Sequence, residues 1–277
     1  MTTSNSRTID IDAILHSKIG DKDRYVPRFL VNYLKKIVHQ EWMNEVLARY
    51  GDVYGLPWIT GILKELNIDY VVKGEENLPL KNDGKRYTFV SNHPLGGPEG
   101  MIYGKLLAEK YDERIRILVN DLLMNLPGLA PLCVPVNKVG KQSRSLPQAI
   151  DAAFSGDYHM FVFPAGLCSR KINGKIHDLP WQKTFIQKSV QYERDVVPMF
   201  FGGRNSERFY RIANICKTLH SPINFAMLYL ADELYKNQNK TFELRIGKPI
   251  PWQTFDKTRN ARQWALWVED EVYKLAD

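Results

Sequence analysis

The residues with the clearest chemical potential lie in the stretch "YTFVSNHPLGGPEG", where an apolar run ends at an Asn-His pair. His93 is followed by prolines and glycines and then by Glu99. An imidazole can act as a general base near neutral pH, and a carboxylate can orient it by holding its other ring nitrogen. The stretch therefore predicts a catalytic pair made of His93 and Glu99.

Both residues also have a structural interpretation, and the sequence leaves it open. A helix is predicted to begin near Pro98, since proline is favoured in a first turn and an apolar helical pattern follows. Glu99 would then complement the positive end of the helix dipole, a role as well supported as catalysis. A lone histidine in a turn most often bonds only to backbone, although the strand–turn–helix setting favours a functional His93.

Polar residues also follow two other apolar runs. Lys138 comes after "LCVPV", while Gly166, Ser169, Arg170 and Lys171 come after "HMFVF". A basic cluster at this position can hold a phosphate or another anionic group. The segment "SRKINGK" could equally be a solvated polar turn, and Gly166 a bend at the end of a strand.

The elements that must position these residues alternate along the chain. Strands are predicted at "DYVVKG", "RYTFVSNH", "RIRILVN", "LCVPVN", "HMFVFPAG", "DVVPMFFGG" and "TFELRIGKPIP", with helices at "GMIYGKLLAEKY", "SLPQAIDAAF", "FYRIANICKTL" and the C-terminal "RNARQWALWVEDEVYKL". This alternation predicts an α/β fold with a largely parallel central sheet flanked by helices. Polar residues at the carboxyl ends of its strands should line one crevice.

Residues 1–69 are predicted to form a helical platform, with membrane association as one of its two interpretations, ahead of an α/β domain at residues 70–277. Helical spacing of apolar residues runs from about Tyr25 to Leu66 and is interrupted at "GDVYGLPW". The aromatic residues of this segment fit either a packed core or the interface of a membrane.

The order of these blocks resembles the glycerophospholipid acyltransferases, best known as 1-acylglycerol-3-phosphate acyltransferases. The resemblance spans roughly residues 70–203. That family carries Asn-His, four residues and Asp, then an arginine after an apolar strand, then Phe-Pro-Glu-Gly with Ser and Arg, and finally an apolar run ending at proline. The matching residues here are Asn92, His93, Glu99, Lys138, Phe163, Pro164, Gly166, Ser169, Arg170 and Pro198.

Three departures from the family pattern indicate a divergent bacterial branch. Pro98 stands where the family has Asp, and the acidic residue comes one position later. Ala165 replaces a glutamate, and Lys138 replaces an arginine, which keeps the charge but loses the bidentate fork. The acceptor is therefore expected to differ from lysophosphatidic acid, and the extended "HPLGG" form resembles acyltransferases of amino-acid lipids.

The resemblance implies an O-acyltransferase that moves a fatty acyl group from acyl-CoA or acyl carrier protein to a lysolipid hydroxyl, with no other cofactor. His93 would take the hydroxyl proton, with Glu99 as the orienting group. The backbone N–H groups of Gly96 and Gly97 would stabilise the oxyanion, unless both are plain turn glycines. Asn92, Lys138, Gly166, Ser169, Arg170 and Lys171 would contact substrate.

The composition of the chain is compatible with an acyltransferase but does not by itself distinguish this function from others. The chain has 277 residues, a formal charge of +7 and 44% hydrophobic residues, which suffices for a core and favours anionic partners. Three dispersed cysteines without a CxxC pair predict neither disulfides nor a zinc site, and no metal is expected. Dispersed basic residues disfavour nucleic acid, although a non-catalytic domain that binds lipid or nucleic acid remains the alternative.

The expected location follows from the start of the chain and from its hydropathy. The first residues lack a basic region followed by an apolar core, and no run approaches about 20 apolar residues. We therefore expect a cytoplasmic protein peripherally associated with the anionic inner face of the cell membrane.

Overall fold

The computed structural model describes residues 8–120, 123, 126–136, 146–218 and 225–277. The helices of these ranges are α1 (Ile11–Ile19), α2 (Arg28–Ile37), α3 (Gln40–Arg49), α4 (Leu56–Glu65), α5 (Pro98–Lys110), α6 (Leu146–Ser155), α7 (Thr184–Gln191), α8 (Glu207–Thr218), α9 (Phe225–Lys236) and α10 (Ala261–Lys274). Short 3₁₀ turns occupy Gly20–Tyr25, Glu75–Asn77, Pro127–Leu132 and Trp252–Thr254.

Within the described ranges, seven strands form one mixed sheet: β1 (Asp69–Lys73), β2 (Tyr87–Ser91), β3 (Ile115–Asn120), β4 (Cys133–Val136), β5 (His159–Val162), β8 (Asp195–Phe201) and β9 (Thr241–Ile246). Their order across the sheet is β1-β9-β8-β2-β5-β3-β4. All neighbouring pairs are parallel except β8 with β9, which is antiparallel. The predicted α/β class with a largely parallel sheet is confirmed.

The central strand β2 shows why the sheet has a helix layer on each side. All five of its residues are buried, as expected for a strand covered on both faces. Phe89 packs into a cluster that includes α4 and α5, while Val90 packs on the opposite side with residues of α7 and α10. Because alternate side chains point to opposite faces, one short strand joins both halves of the core.

A small hairpin stands outside the main sheet and was not predicted. Strands β6 (Arg170–Ile172) and β7 (Lys175–His177) pair antiparallel around Asn173 and Gly174. Both turn residues have positive φ, 50° and 79°, as a two-residue hairpin turn requires. The Asn-Gly pair within "SRKINGK" was the available signal. Helices α7 and α9 were also absent from the prediction, and α1 lies within the predicted helical platform but before the helical spacing traced from Tyr25.

The helices before β1 pack in two different ways. Helix α4 contributes Trp58 and Ile59 to the largest buried cluster, which also contains residues of the sheet. Helix α2 instead packs against α9, and the Tyr33 hydroxyl lies 2.8 Å from that of Tyr229. The boundary between residues 69 and 70 stays a prediction. No helix in the described ranges is long and apolar enough to span a membrane.

Candidate active site

The candidate site begins where β2 ends, at a turn that is tied to the neighbouring strand β8. The Asn92 side-chain oxygen accepts the Phe201 N–H at 2.7 Å, and its amide nitrogen donates to the Phe201 carbonyl at 3.0 Å. These two bonds fix the ends of β2 and β8 relative to each other. They account for Asn92 structurally, and its predicted contact with substrate stays a prediction.

The next residue, His93, meets the carboxylate predicted to orient it. Its Nδ1 lies 2.9 Å from Glu99 Oε1, an ion-pair distance, although the ring N–H departs from the direction of a linear hydrogen bond. The imidazole stacks on Phe163 with ring centroids 4.1 Å apart, and 17% of the side chain is exposed. A proton held at Nδ1 leaves Nε2 as the nitrogen that can accept one from a substrate.

Glu99 is fully buried and is also held by the turn that precedes α5. Its Oε1 accepts the N–H groups of Leu95 and Gly96 at 2.8 and 2.7 Å, and Oε2 accepts that of Gly97 at 3.0 Å. Burial alone would raise the pKa of Glu99, but the nearby His93 and the backbone N–H groups outweigh it and leave the pKa below 4.5. Glu99 therefore lies beside His93 and also binds the backbone at the start of α5, so the two roles that the sequence left open are compatible in one side chain.

This arrangement changes the expected role of the glycines. The N–H groups of Gly96 and Gly97 were predicted to stabilise an oxyanion, but both are taken up by Glu99 in this structure. Gly96 is required for another reason: its φ is 86°, and a β-carbon there would lie 2.9 Å from Leu230 Cδ2 on α9. The geometry supports a structural role for Gly96 and Gly97 in the turn. It gives no support to stabilisation of an oxyanion by their N–H groups.

The backbone of His93 is held by a second carboxylate that sequence reasoning missed. Both Asp178 oxygens accept the His93 N–H, at 3.2 and 3.1 Å, and Oδ1 also accepts the Ser169 hydroxyl at 2.5 Å. Ser169 donates its own N–H to the His93 carbonyl at 2.7 Å. Ser169 therefore connects the hairpin of β6 and β7 to the turn that carries His93, the histidine turn. Nothing in the motif spacing pointed to Asp178, which follows β7.

Two buried carboxyl groups lie together behind this contact. Burial raises the pKa of Asp178, whose Oδ2 also accepts the Trp181 indole N–H at 3.1 Å. Glu269 on α10 accepts the Trp181 backbone N–H at 3.3 Å, and burial together with Asp178 and Asp270 raises its pKa to about 7. Of the two carboxyl groups, Glu269 therefore has a pKa near neutrality, while burial raises the pKa of Asp178 above its usual range.

The predicted basic cluster is largely engaged within the protein. Arg170 Nη1 donates to the Cys168 carbonyl at 2.5 Å, and Lys171 pairs with Glu207 of α8 at 2.7 and 2.8 Å. Gly166 closes a turn by donating its N–H to Phe163. Lys138 lies outside the described residues. Substrate contacts by these four residues stay predictions.

The loop after β8 supports the histidine turn from a third side, and it too was missed. The Asn205 amide nitrogen donates to the carbonyls of Pro94 and Leu95 at 3.2 and 3.1 Å. Among the described residues there is no group of three or more His, Cys, Asp or Glu side chains that could hold a metal ion. The arrangement is therefore a histidine–carboxylate pair on a turn fixed by Asn92, Asp178 and Asn205.

A family model described as "Acyltransferase" matches residues 13–277, nearly the whole chain. The chain belongs to the acyltransferase family. The predicted enzyme class and the resemblance recognised in the motifs are confirmed. In an acyltransferase, a partly exposed histidine paired with a buried carboxylate is well suited to deprotonate the acceptor.

Two relatives of this acyltransferase are 54% identical to it over 275 residues. One is a lyso-glycine lipid O-acyltransferase of Bacteroides thetaiotaomicron, matched over 99% of this chain and 100% of that protein. The other has the same name and comes from Phocaeicola vulgatus, with 99% and 98% covered. A solved structure, the 1-acyl-sn-glycerophosphate acyltransferase PlsC of Thermotoga maritima, is 17% identical, with a TM-score of 0.46 over 90% of this chain and 92% of that one.

Proposed function

We propose that this acyltransferase transfers a fatty acyl group from a thioester donor to the hydroxyl of a glycine-headed lysolipid. The observation that carries the reaction type is the His93–Glu99 pair, placed at the edge of the sheet in a member of the acyltransferase family. The substrate class rests on the names of two relatives that match this chain over nearly its full length.

The chemistry of that acceptor can be stated from its parts. Glycine has an amino group and a carboxyl group but no hydroxyl, so the acylated oxygen must belong to the fatty portion of the lysolipid. If the lipid chain is joined through the nitrogen, a free carboxylate remains. The acceptor is then an anionic amphiphile with a hydroxyl some distance from its charge.

The proposed reaction uses His93 as the base. Its Nε2 takes the acceptor proton while the oxygen attacks the thioester carbonyl, and the negative Glu99 stabilises the imidazolium that forms. Collapse of the tetrahedral intermediate breaks the carbon–sulfur bond, and the same proton passes from Nε2 to the departing thiolate. The new bond is an ester, the other product is a free thiol, and no covalent intermediate with the protein is needed.

The donor and the location complete the proposal. We expect acyl-CoA or acyl carrier protein as co-substrate, no further cofactor, and a position at the cytoplasmic face of an anionic membrane. Aromatic and aliphatic side chains in and before α2 support contact with lipid, because they are exposed beside basic residues. The exposed apolar residues are Tyr25, Phe29, Leu30 and Tyr33.

The test is acyl transfer by the purified full chain. One isotopically labelled acyl-CoA and the matching acyl carrier protein are each incubated with a panel of lysolipids, and products are identified by mass spectrometry. We expect a labelled O-acyl product from the glycine-headed acceptor, together with acceptor-dependent release of thiol. Transfer only to a phosphate-headed acceptor would replace glycine lipid by phospholipid as the substrate class. Thiol release that is independent of every acceptor would contradict acyl transfer altogether.

A further inference from the structure

A cavity of about 350 Å³ lies beside the turn that carries His93. Both chain neighbours of the histidine, Asn92 and Pro94, line it, and so does Ser169. Its size falls within the range of about 300–1,000 Å³ that is usual for small-molecule sites. Aliphatic and aromatic residues form much of its wall, namely Pro94, Ile176, Phe200, Phe201 and Tyr273.

Arg204 is the only charged residue among the described residues that line this cavity. Its side chain is exposed and forms no hydrogen bond or ion pair with any residue in the described part of the chain. The other polar side chains are already engaged: Asn92 with the backbone of Phe201, the Ser169 hydroxyl with Asp178, and the Tyr273 hydroxyl with the Asp178 N–H at 3.0 Å. The guanidinium is therefore the group left to bind a ligand.

The loop that carries Arg204 is anchored on both sides of it. The Gly202 N–H donates to the Glu243 carbonyl at 2.9 Å, while Asn205 binds the histidine turn. Ser206 donates its N–H and its hydroxyl to Glu233 at 2.7 and 2.6 Å. Because the backbone on both sides is held in this way, ligand binding at Arg204 needs little further ordering of the loop, and the entropy lost is mainly that of the side chain.

We infer that this cavity binds the head group of the acceptor, with Arg204 paired to its free carboxylate. The inference rests on the proposed function and adds to it the orientation of the acceptor. A guanidinium and a carboxylate form a bidentate, charge-assisted pair, and an ammonium head would be repelled. The head is thereby placed next to the turn that carries the base, and the apolar wall accommodates the first carbons of the lipid chain.

Two features of the cavity favour the acceptor over the donor. The nucleotide and diphosphate of CoA, or the acidic surface of a carrier protein, would call for several cations, whereas the lining residues that the structure describes include one cation, Arg204. The nearby Asp178 does not oppose an anionic ligand strongly, since it is only 5% exposed and accepts hydrogen bonds from His93, Ser169 and Trp181.

The experiment compares two acceptors and two variants. One acceptor is a hydroxylated fatty acyl chain amide-linked to glycine, and the other is the same molecule with glycinamide, both dispersed in neutral detergent. Arg204→Gln removes the charge in the cavity, and Arg211→Gln removes a charge from an exposed position on α8 as the matched control. Steady-state kinetics are measured for each acceptor and for the thioester donor.

Arg204→Gln should raise the KM for the glycine acceptor by about 10- to 100-fold, the usual consequence of losing a charge-assisted hydrogen bond. Its kcat and donor KM should stay within about three-fold of the parent, and its KM for the glycinamide acceptor should match that of the parent. Arg211→Gln should resemble the parent throughout. An unchanged KM for the glycine acceptor, or a rise in the donor KM instead, would overturn the assignment.

The proposed function and the proposed binding site can be tested separately. A parent protein that transfers no acyl group to any lysolipid would contradict that function and not, by itself, the binding site. Equilibrium binding of the glycine acceptor to the parent and to Arg204→Gln then decides the inference: weaker binding by the variant supports it, and equal binding overturns it.

Discussion

His93 stands at the point where β2 gives way to a turn, with one ring nitrogen against Glu99 and the other free of partners in the described structure. Its ring is fixed by Phe163 and its backbone by Asp178 and Ser169. The proposed base is therefore oriented before substrate arrives, and the proposal predicts that its contribution is lost when the imidazole is removed.

We expect His93→Ala to lower kcat by about 10²–10⁴-fold while the protein stays folded, because general-base help contributes about that much. His16→Ala is a suitable control, since this histidine is exposed and, among the described residues, pairs with Asp23 alone. Turnover and circular dichroism would be measured for both. A folded His93→Ala protein with turnover near that of the parent would contradict the mechanism.

Glu99→Gln should lower both stability and turnover. Glutamine keeps one acceptor oxygen, so its amide N–H₂ must face at least one of the backbone N–H groups that Glu99 now accepts, at a cost of about 1–3 kcal/mol. Loss of the negative charge also leaves the His93 imidazolium unsupported. Denaturant unfolding and kcat are the measurements, with the exposed Glu109→Gln of the same helix as control. Parent-like values of both would show that Glu99 has neither role.

At the scale of elements, α10 packs behind the site. Its Glu269 accepts the Trp181 N–H and lies 3.5 Å from His177 Nδ1. The carboxyl group is 5% exposed, and its pKa is raised from 4.5 to about 7. Between these two values the folded protein holds a proton that the unfolded chain has released. This group therefore makes the free energy of unfolding fall as the pH rises from about 4.5 to about 7.

Glu269→Gln should remove that slope, because glutamine is neutral at every pH and keeps an oxygen for the Trp181 N–H. Relative to the parent, the variant should gain roughly 1–3 kcal/mol between pH 4.5 and pH 7 and no more above it. Urea unfolding at several pH values gives the difference, and Glu271→Gln on the same helix, at a partly exposed position, is the control. A constant difference across this range would mean that Glu269 is ionised throughout.

At the scale of the whole molecule, a formal charge of +7 accompanies an exposed aromatic face near α2. That helix packs against α9, whose Leu230 touches Gly96 of the histidine turn. A lipid surface bound to α2, as proposed, would therefore be linked to the site through one intervening helix.

Replacing Tyr25 and Phe29 by serine should weaken binding to vesicles that contain anionic lipid, because these side chains are 72% and 75% exposed and would enter the interface. The expected result is less protein co-sedimenting with vesicles and unchanged kinetics on detergent-dispersed acceptor. Leu80→Ser removes an equally exposed apolar side chain, 75%, and serves as control. If binding is equal for all three proteins and disappears in moderate salt, the attraction is charge alone.

The sequence by itself predicted most strands of the central sheet, several of its helices and the proximity of His93 to Glu99, whose catalytic role stays a prediction. Buried strands and amphipathic helices are set by the periodicity of nearby residues, and His93 and Glu99 are close in the chain, on one strand–turn–helix unit. The direction of β9, antiparallel to β8, could not be predicted in this way, since strand pairing depends on how distant segments pack. Helix α7 and the hairpin of β6 and β7 were missed because each is short.

Only the tertiary structure decided which residues hold the pair and what surrounds it. Asp178 contacts His93 across 85 residues of sequence, and Asn205 reaches Pro94 across 111. It also showed that the N–H groups of Gly96 and Gly97 are used by Glu99, and that Arg204 borders the cavity. Local spacing carries no record of such contacts, because they arise when the carboxyl ends of separate strands are brought to one edge of the sheet.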